Sequence, residues 1–265
     1  MKSRDPNDVC FHFPRISRSL WTNEAIPRDS SPYFATLLDS GFSEAITHGQ
    51  GLPLGQVLSR HLAPFDFSDS DEELEEEEEE NKIDPPESTP CENCFPRSFK
   101  TIQITQASYA TYANVLCWIG TGYIDFAPLK STSLFPSTSS GFESIQALAD
   151  VSSSAQSSSL PRPASPKSVY RLSHLLEISE LSKLALENFK LQLTPQNAAY
   201  ELYTDVASAY PELRDIALEY TVEHWKEVVK SKAWEEIEKK GQAGEGGDSY
   251  TGMLLSRKLM DRWGK

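Results

Sequence analysis

The stretch SSPYFATLLDSGFSEA, residues 30–45, is the part of this chain from which its fold can be argued. Pro32 suits the first turn of a helix because its missing N–H would have no partner there, and Ser31 can cap that turn. The apolar residues that follow recur at helical spacing on one face: Tyr33, Phe34, Leu37 and Leu38. Gly41 is well placed to end the helix. The stretch therefore predicts a short amphipathic helix that buries one face.

Strand patterns precede and follow this helix. In VCFHF, Val9, Phe11 and Phe13 alternate with other residues as in a half-buried strand, and SLWTN predicts a second strand paired with it. FKTIQI predicts a third strand, with Ile102 and Ile104 on one face. Further on, YIDF has the pattern of a short edge strand.

Helical patterns occupy most of the remaining ordered sequence. QASYATYANVLCWIGTG predicts a helix that Gly120 and Gly122 stop, and its buried side consists of Tyr109, Tyr112, Val115, Leu116 and Ile119. SVYRLSHLLEISELSKLALENFKLQL predicts two helices with a break at ISEL, where Ser179 caps the second. Their apolar stripes are Val169, Leu172, Leu175 and Leu176, then Leu181, Leu184, Ala185 and Phe189.

Two further helices are predicted nearer the carboxyl terminus. LTPQNAAYELYTDVASAY starts with Thr194 as cap and Pro195 at the first position. YPELRDIALEYTVEHWKEVVKSKAW keeps helical spacing at four apolar positions, which are Leu213, Ile216, Ala217 and Tyr220. Residues 241–265 are treated as a tail.

Charge is concentrated in one segment. The chain of 265 residues has a formal net charge of −14, and residues 66–87 contain 13 acids and one lysine. Like charges at this density repel, so we expect disorder across a low-complexity insert at 48–96. A second insert, at 131–167, is rich in Ser and Pro and is expected to be a flexible linker, interrupted by a short helix around 142–151.

Composition also argues against several function classes. Outside the acidic segment the net charge is near zero, with no basic cluster of the kind that binds nucleic acid. We expect no membrane span, since no apolar run approaches 18 residues, and no signal peptide. Four cysteines fit free thiols in a reducing compartment, hence an intracellular protein of the cytoplasm or nucleus. No catalytic or cofactor-binding motif occurs on the predicted elements, so we expect neither catalysis nor a cofactor.

The order of these elements resembles the BTB/POZ domain. Members of that family carry a Ser-x-Tyr-Phe helix start, a Tyr-Thr-Gly turn and a Leu-x-x-Ala pattern in a later helix pair. The matching residues here are Ser31, Tyr33 and Phe34, then Thr121 and Gly122, then Leu172, Leu181 and Ala185. The sequence after residue 193 is similar to the helical extension behind BTB domains in many fungal proteins.

The resemblance implies an α+β fold, a small three-stranded sheet with flanking helices, followed by an all-helical extension. It places a BTB/POZ-like domain at 8–193, containing both inserts, and the extension at 194–240. It also implies a protein–protein interaction module, a scaffold or adaptor that links a client protein to a cullin-type ubiquitin ligase. The alternative is a self-associating scaffold in transcriptional or cytoskeletal regulation, a homodimer for example, with no ligase role.

Phe42-Ser43-Glu44, directly after the predicted helix, resembles the hydrophobic-x-Glu signature by which BTB adaptors engage the cullin scaffold. An exposed Phe42 would fill a pocket of the partner, while the carboxylate of Glu44 at the rim would fix orientation. The other interpretation is that Phe42 packs on its own domain and Glu44 is merely solvated. Burial of Phe42 decides between the two.

Three further sequence patterns have both a functional and a purely structural interpretation. Cys91 and Cys94 have the spacing of half a zinc site, but a second pair is missing and two free thiols are the simpler interpretation. Ser68 and Ser70, each with an acid three residues later, suit an acidophilic kinase, but a solvated run with no regulatory role is the preferred interpretation. Histidines and tryptophans on the helices are interpreted as packing or surface residues: His174, His224, Trp118, Trp225 and Trp234.

Overall fold

The protein is described here by a computed structural model. It describes residues 8–39, 45–48, 99–136, 160–243 and 249–263, and for 45–48 only the backbone. These residues form two compact units. The first contains residues 8–39, 45–48, 99–126 and 161–183, and the second contains 127–136, 160, 184–243 and 249–263. The prediction of a domain at 8–193 and an extension at 194–240 stays a prediction.

The first unit is built on a four-stranded sheet in the order β2-β1-β4-β3. The strands are β1 (Val9–Phe13), β2 (Arg18–Thr22), β3 (Ala45–His48) and β4 (Phe99–Gln103). β1 pairs antiparallel with β2 and parallel with β4, while β3 pairs antiparallel with β4. The α+β class and the three predicted strands are present, and the sheet gains a fourth strand, β3, where we expected the first insert to begin.

Helices make up most of the other described residues. In chain order they are α1 (Ala25–Ser30), α2 (Pro32–Asp39), α3 (Tyr109–Thr121), α4 (Lys130–Leu134), α5 (Pro166–Leu175), α6 (Ser179–Gln192), α7 (Ala198–Leu202), α8 (Asp205–Ala209), α9 (Pro211–Glu223), α10 (Trp225–Val228), α11 (Lys232–Gln242) and α12 (Ser249–Trp263). Within the described ranges, none of them is long and apolar enough to cross a membrane.

Aromatic side chains form the core of the first unit. Phe11 of β1 lies 5.5 Å from Phe34 of α2 and 5.3 Å from Tyr112 of α3, measured between ring centroids. Phe13 makes edge contacts with Tyr112 at 5.6 Å and Tyr109 at 5.3 Å. Tilted and edge-on pairs of this kind stabilise a core beyond the area that they bury. The sheet and the predicted faces of α2 and α3 therefore pack together.

The predicted start of α2 is confirmed at atomic detail. The N–H of Phe34 donates to Oγ of Ser31 at 3.2 Å, which is the capping bond expected of a serine before Pro32. The same hydroxyl donates to the carbonyl of Leu176 at 2.5 Å, so the cap also ties α2 to the end of α5. Removing it would leave a buried carbonyl without this donor.

Two glycines that were expected to stop α3 differ in role. Gly122 ends the helix in the left-handed region, with φ of 73°, and its N–H bonds to the carbonyl of Trp118 at 2.7 Å. Gly120 instead lies inside α3. The expected edge strand YIDF is absent as a strand, and Phe126 makes only an isolated parallel bridge with Ala164.

Several predicted boundaries in the helical region need correction. The insert expected at 131–167 overlaps α4 and the first residues of α5, since Ser131 and Lys167 are buried. The helix expected from Thr194 is two short helices, α7 and α8, and Thr204 caps the second by accepting from the N–H of Ala207 at 3.1 Å. The tail at 241–265 contains α12, a helix of 15 residues.

The core of the second unit contains a cluster that is rich in alanine. One buried cluster joins α4, α7, α10 and α11, and consists of Phe135, Ala198, Ala199, Val228 and Ala233. Aromatic rings pack around it: Tyr200, Tyr220 and Trp234. Alanines at these positions let short helices approach one another closely, and the rings fill the space that the alanines leave.

Candidate functional site

Phe42 and Glu44, the residues predicted to bind a partner, lie outside the described residues, as does Gly41. The structure does describe both ends of the segment that contains them. α2 ends at Asp39 and β3 begins at Ala45, so five residues, 40–44, connect a helix to a strand. Described residues hold each end of this connection.

The carboxyl end of α2 is held by a cation from the sheet. Nζ of Lys100, on β4, donates to the carbonyl of Leu38 at 2.8 Å. The same ammonium group bonds Oε1 of Glu24 at 3.0 Å, just before α1. The last turn of a helix has carbonyls without intrahelical partners, and its dipole attracts positive charge. A lysine at this position donates a hydrogen bond to such a carbonyl and supplies the positive charge.

A second cation, Arg28, also holds the carboxyl end of α2. Arg28 of α1 pairs with Oδ1 of Asp39 at 2.7 Å and also bonds the carboxylate of Glu24. Glu24 therefore bridges Lys100 and Arg28, and its own N–H donates to Oδ1 of Asp8 at 2.5 Å. We call the set Glu24, Arg28, Asp39 and Lys100 the charge clamp.

The carboxylates of the charge clamp shift the pKa of Arg28. Partial desolvation lowers the pKa of Arg28, but the carboxylates of Glu24 and Asp39 outweigh it, so the pKa of the guanidinium is raised overall. The side chains of Lys100 and Glu24 are about three-quarters enclosed, with 25% and 24% of their area exposed. Ion pairs at this depth are screened less by salt than fully exposed ones.

The far end of the connection is held by the sheet. Ala45 pairs with Ile102 and His48 pairs with Phe99, so β3 lies along the outer side of β4. Among the described residues, no further strand pairs with the outer edge of β3. The 40–44 connection therefore leaves a clamped helix end and enters an edge strand, which is the kind of position where a binding loop sits on a rigid scaffold.

Two further chemically capable side chains of the first unit, His12 and Cys10, are buried on β1. His12 is buried on β1, where burial lowers the pKa of its imidazole and Nδ1 lies 3.1 Å from Oγ of Ser19. Cys10 is a free, fully buried thiol, and burial raises its pKa. A buried thiol with a raised pKa is a poor nucleophile. Within the described ranges there is no group of three His, Cys, Asp or Glu that could hold a metal ion.

The histidines and tryptophans singled out on helices have packing or surface positions. His174 is exposed, whereas His224 stacks on Tyr220 with ring centroids 4.2 Å apart. Burial, followed by the nearby carboxylates of Glu227 and Glu223, raises the pKa of Tyr220. Trp225 and Trp234 meet edge to face at 4.8 Å, and Trp118 is half-buried on α3.

Other predicted positions fall outside the described residues. They are Cys91 and Cys94, Ser68 and Ser70, and the short helix around 142–151. The zinc, phosphorylation and helix interpretations made from those residues stay predictions.

The charge clamp itself was not predicted from the sequence. Glu24 and Arg28 stand four residues apart and can be read as a helical ion pair. Lys100, however, follows Glu24 by 76 residues, and nothing in the local pattern of FKTIQI connects it to the end of α2. Only the parallel pairing of β1 with β4 brings it there.

No family model and no curated protein matches this chain.

Proposed function

We propose that this chain is a protein–protein interaction module with a BTB/POZ-like domain, and that it links a client protein to a cullin-type ubiquitin ligase. The observation that carries the proposal is the charge clamp. It holds Leu38 and Asp39 at the end of α2, three residues before Phe42 in the sequence. A binding segment that starts from a rigidly held helix end loses less conformational entropy on binding than one that starts from a mobile end.

The arrangement of the first unit supports the BTB/POZ-like part of the proposal. A β1–β2 hairpin, the α1–α2 pair, β4, α3 and the α5–α6 pair follow one another in the order that the resemblance implies. The capping bond of Ser31 and the turn at Gly122 occur at two of the three quoted family motifs. None of these features requires a substrate pocket or a catalytic group.

The test is binding of the purified, full-length chain to a purified cullin scaffold. Phe42→Ala should weaken binding by about tenfold or more, because an aromatic side chain in a partner pocket is a typical hot spot. Glu44→Gln should weaken it less. Phe67→Ala, which removes an aromatic ring of the same kind from the acidic segment, is the matched control and should bind like the parent.

Two results would overturn the cullin proposal. One is that the parent itself does not bind the scaffold, and the other is that Phe42→Ala binds as well as the parent. If the parent instead sediments as a homodimer without binding the scaffold, the self-associating scaffold becomes the better interpretation.

A further inference from the structure

Helix α12 lies at the surface of the second unit and buries few of its residues. All fifteen residues of α12 are described, and among them Thr251 and Leu255 are buried, with 1% and 3% of their area exposed. The neighbouring α9 buries five residues of thirteen. Leu255 is therefore the one apolar side chain that α12 buries among these described residues. Because apolar burial is the main favourable term when a helix docks, this attachment is small.

Charged contacts also join α12 to α9 and α10, and they lie at the surface. In chain order they are the guanidinium of Arg214 with the ring of Tyr250 (5.2 Å to the ring centre), Oε1 of Glu219 with Nζ of Lys258 (3.6 Å), and Nζ of Lys226 with the ring of Trp263 (5.2 Å to the ring centre). The partners follow one another in the same order in both segments, so α12 runs parallel to α9 and α10. The side chains of Lys258 and Glu219 are 41% and 71% exposed. Cation–π contacts and ion pairs at exposed positions contribute little to stability.

A groove separates part of α9 from α12. It has a volume of about 490 Å³. The residues that line it belong to both helices: Glu219, Val222 and Glu223 of α9, and Lys258, Asp261 and Arg262 of α12. Along this length the side chains of the two helices do not interdigitate as they do in a well-packed core, so the helices have few dispersion contacts there.

The rest of the second unit has a core that does not depend on α12. Among the described residues, the alanine-rich cluster joins α4, α7, α10 and α11 and contains no residue of α12. Its partly buried aromatic rings, Tyr200, Tyr220 and Trp234, also come from other helices. Removal of α12 would therefore leave this cluster and its rings in contact with one another.

An undocked α12 would not stay helical. The helix has 15 residues, and isolated helices of about this length are marginal in water because nucleation of the first turn is unfavourable. Gly252 lowers its helix propensity further, since glycine loses the most backbone freedom on folding. Undocking of α12 and unfolding of α12 are therefore one event.

We propose that α12 is a removable cover of α9, which detaches and unfolds on its own while the rest of the second unit stays folded. Its release takes Lys258 and Arg262 away from the groove, so Glu219 and Glu223 lose their cationic neighbours. Release also uncovers Val222, which is 6% exposed with α12 in place. The covered face of α9 thereby becomes acidic with an apolar side chain between its carboxylates. This device is independent of the cullin proposal.

Hydrogen exchange of the full-length chain tests the proposal, with peptide mass spectrometry to separate the helices. Under native conditions an amide exchanges through the opening of lowest free energy that exposes it. The amides of residues 254–262 in α12 should therefore exchange at least about tenfold faster than those of residues 215–223 in α9. Both rates are expressed relative to the same peptides in the chain unfolded in urea, which removes the effect of local sequence.

Leu255→Ala removes the apolar side chain by which α12 is docked. It should accelerate exchange in α12 by about a further tenfold or more, because large-to-small changes at buried positions are strongly destabilising. The amides of α7 and α9 should keep their parent rates. Met260→Ala, which shortens a side chain of the same helix that is 69% exposed, is the matched control and should leave both sets of rates unchanged.

Three results would overturn the proposal. Exchange in α12 as slow as in α9 would mean that α12 opens only when α9 does. Acceleration of α7, α9 and α12 to the same extent by Leu255→Ala would mean that they unfold as one cooperative unit. Exchange of α12 in the parent at the rate of the unfolded chain would mean that there is no docked cover to release.

Discussion

His12 illustrates how one buried side chain makes folding depend on pH. It lies on the central strand β1, is 7% exposed, and contacts Oγ of Ser19 through Nδ1 at 3.1 Å. Burial lowers its pKa in the folded state below that of an unfolded chain, about 6.5. The unfolded chain therefore binds more protons in the window just below that value, and stability falls as the pH drops through it.

We predict that His12→Gln removes part of this acid sensitivity. The parent should lose stability between about pH 7 and pH 5 for the reason just given, and the glutamine variant, which cannot take up a proton, should lose less. Urea unfolding at several pH values measures both. The matched control is His174→Gln, which changes an exposed histidine on α5. An identical pH dependence in the parent and His12→Gln would contradict the prediction.

Among elements, α2 shows how the end of a helix depends on residues distant in sequence. Its start was predictable, because Ser31 and Pro32 are adjacent and have a known capping role. Its end was not, because Lys100 arrives through the pairing of β1 with β4. The expected stop at Gly41 lies outside the described residues.

Lys100→Met should loosen the last turn of α2. The variant loses the bond to the carbonyl of Leu38 and the pair with Glu24, at a cost of about 1 kcal/mol in the free energy of unfolding. Hydrogen exchange should accelerate most at the amides of Leu37, Leu38 and Asp39. Lys183→Met, at an exposed lysine of the same unit, is the control. Equal exchange in the two variants would show that the charge clamp does not hold the helix end.

Other elements were missed for identifiable reasons. β3 is only four residues long and adjoins a low-complexity region, so it carries too little alternation to predict a strand. The break between α7 and α8 falls at Tyr203 and Thr204, where a capping threonine interrupts an otherwise continuous helical pattern. α12 follows a glycine-rich stretch, and its exposed apolar side chains weaken the contrast between faces from which an amphipathic helix is predicted.

At the scale of the whole molecule, the longest insertion joins two strands whose ends are already adjacent. His48 pairs with Phe99, so fifty residues of sequence connect two paired, antiparallel strands. The low complexity of this region could be predicted from its composition. Its position between two paired strands could not, because the pairing of β3 with β4 is not visible in the sequence. An insertion at such a point leaves the core contacts unchanged and costs only the entropy of closing a longer loop.

Replacing residues 49–98 with a six-residue Gly/Ser turn should therefore stabilise the first unit by about 2 kcal/mol, since closure entropy grows with the logarithm of loop length. Hydrogen exchange of the β1 and β4 amides measures the change in that unit. The control is a fifty-residue Gly/Ser loop, which has the length of the natural connection but not its acidic sequence. A six-residue variant no more stable than this control would contradict the prediction.

The parallel pairing of β1 with β4 also determines when, during synthesis of the chain, β1 can complete its pairing. Val9 pairs with Lys100, so one edge of the central strand waits for 91 further residues to be made. At about 5–20 residues per second this takes roughly 5–18 s. During that interval VCFHF, all five residues of which end up buried, is paired on one side at most. An apolar strand with an unpaired edge is a template for wrong pairing, and this one stays unpaired on that side while the acidic run at 66–87 is being translated.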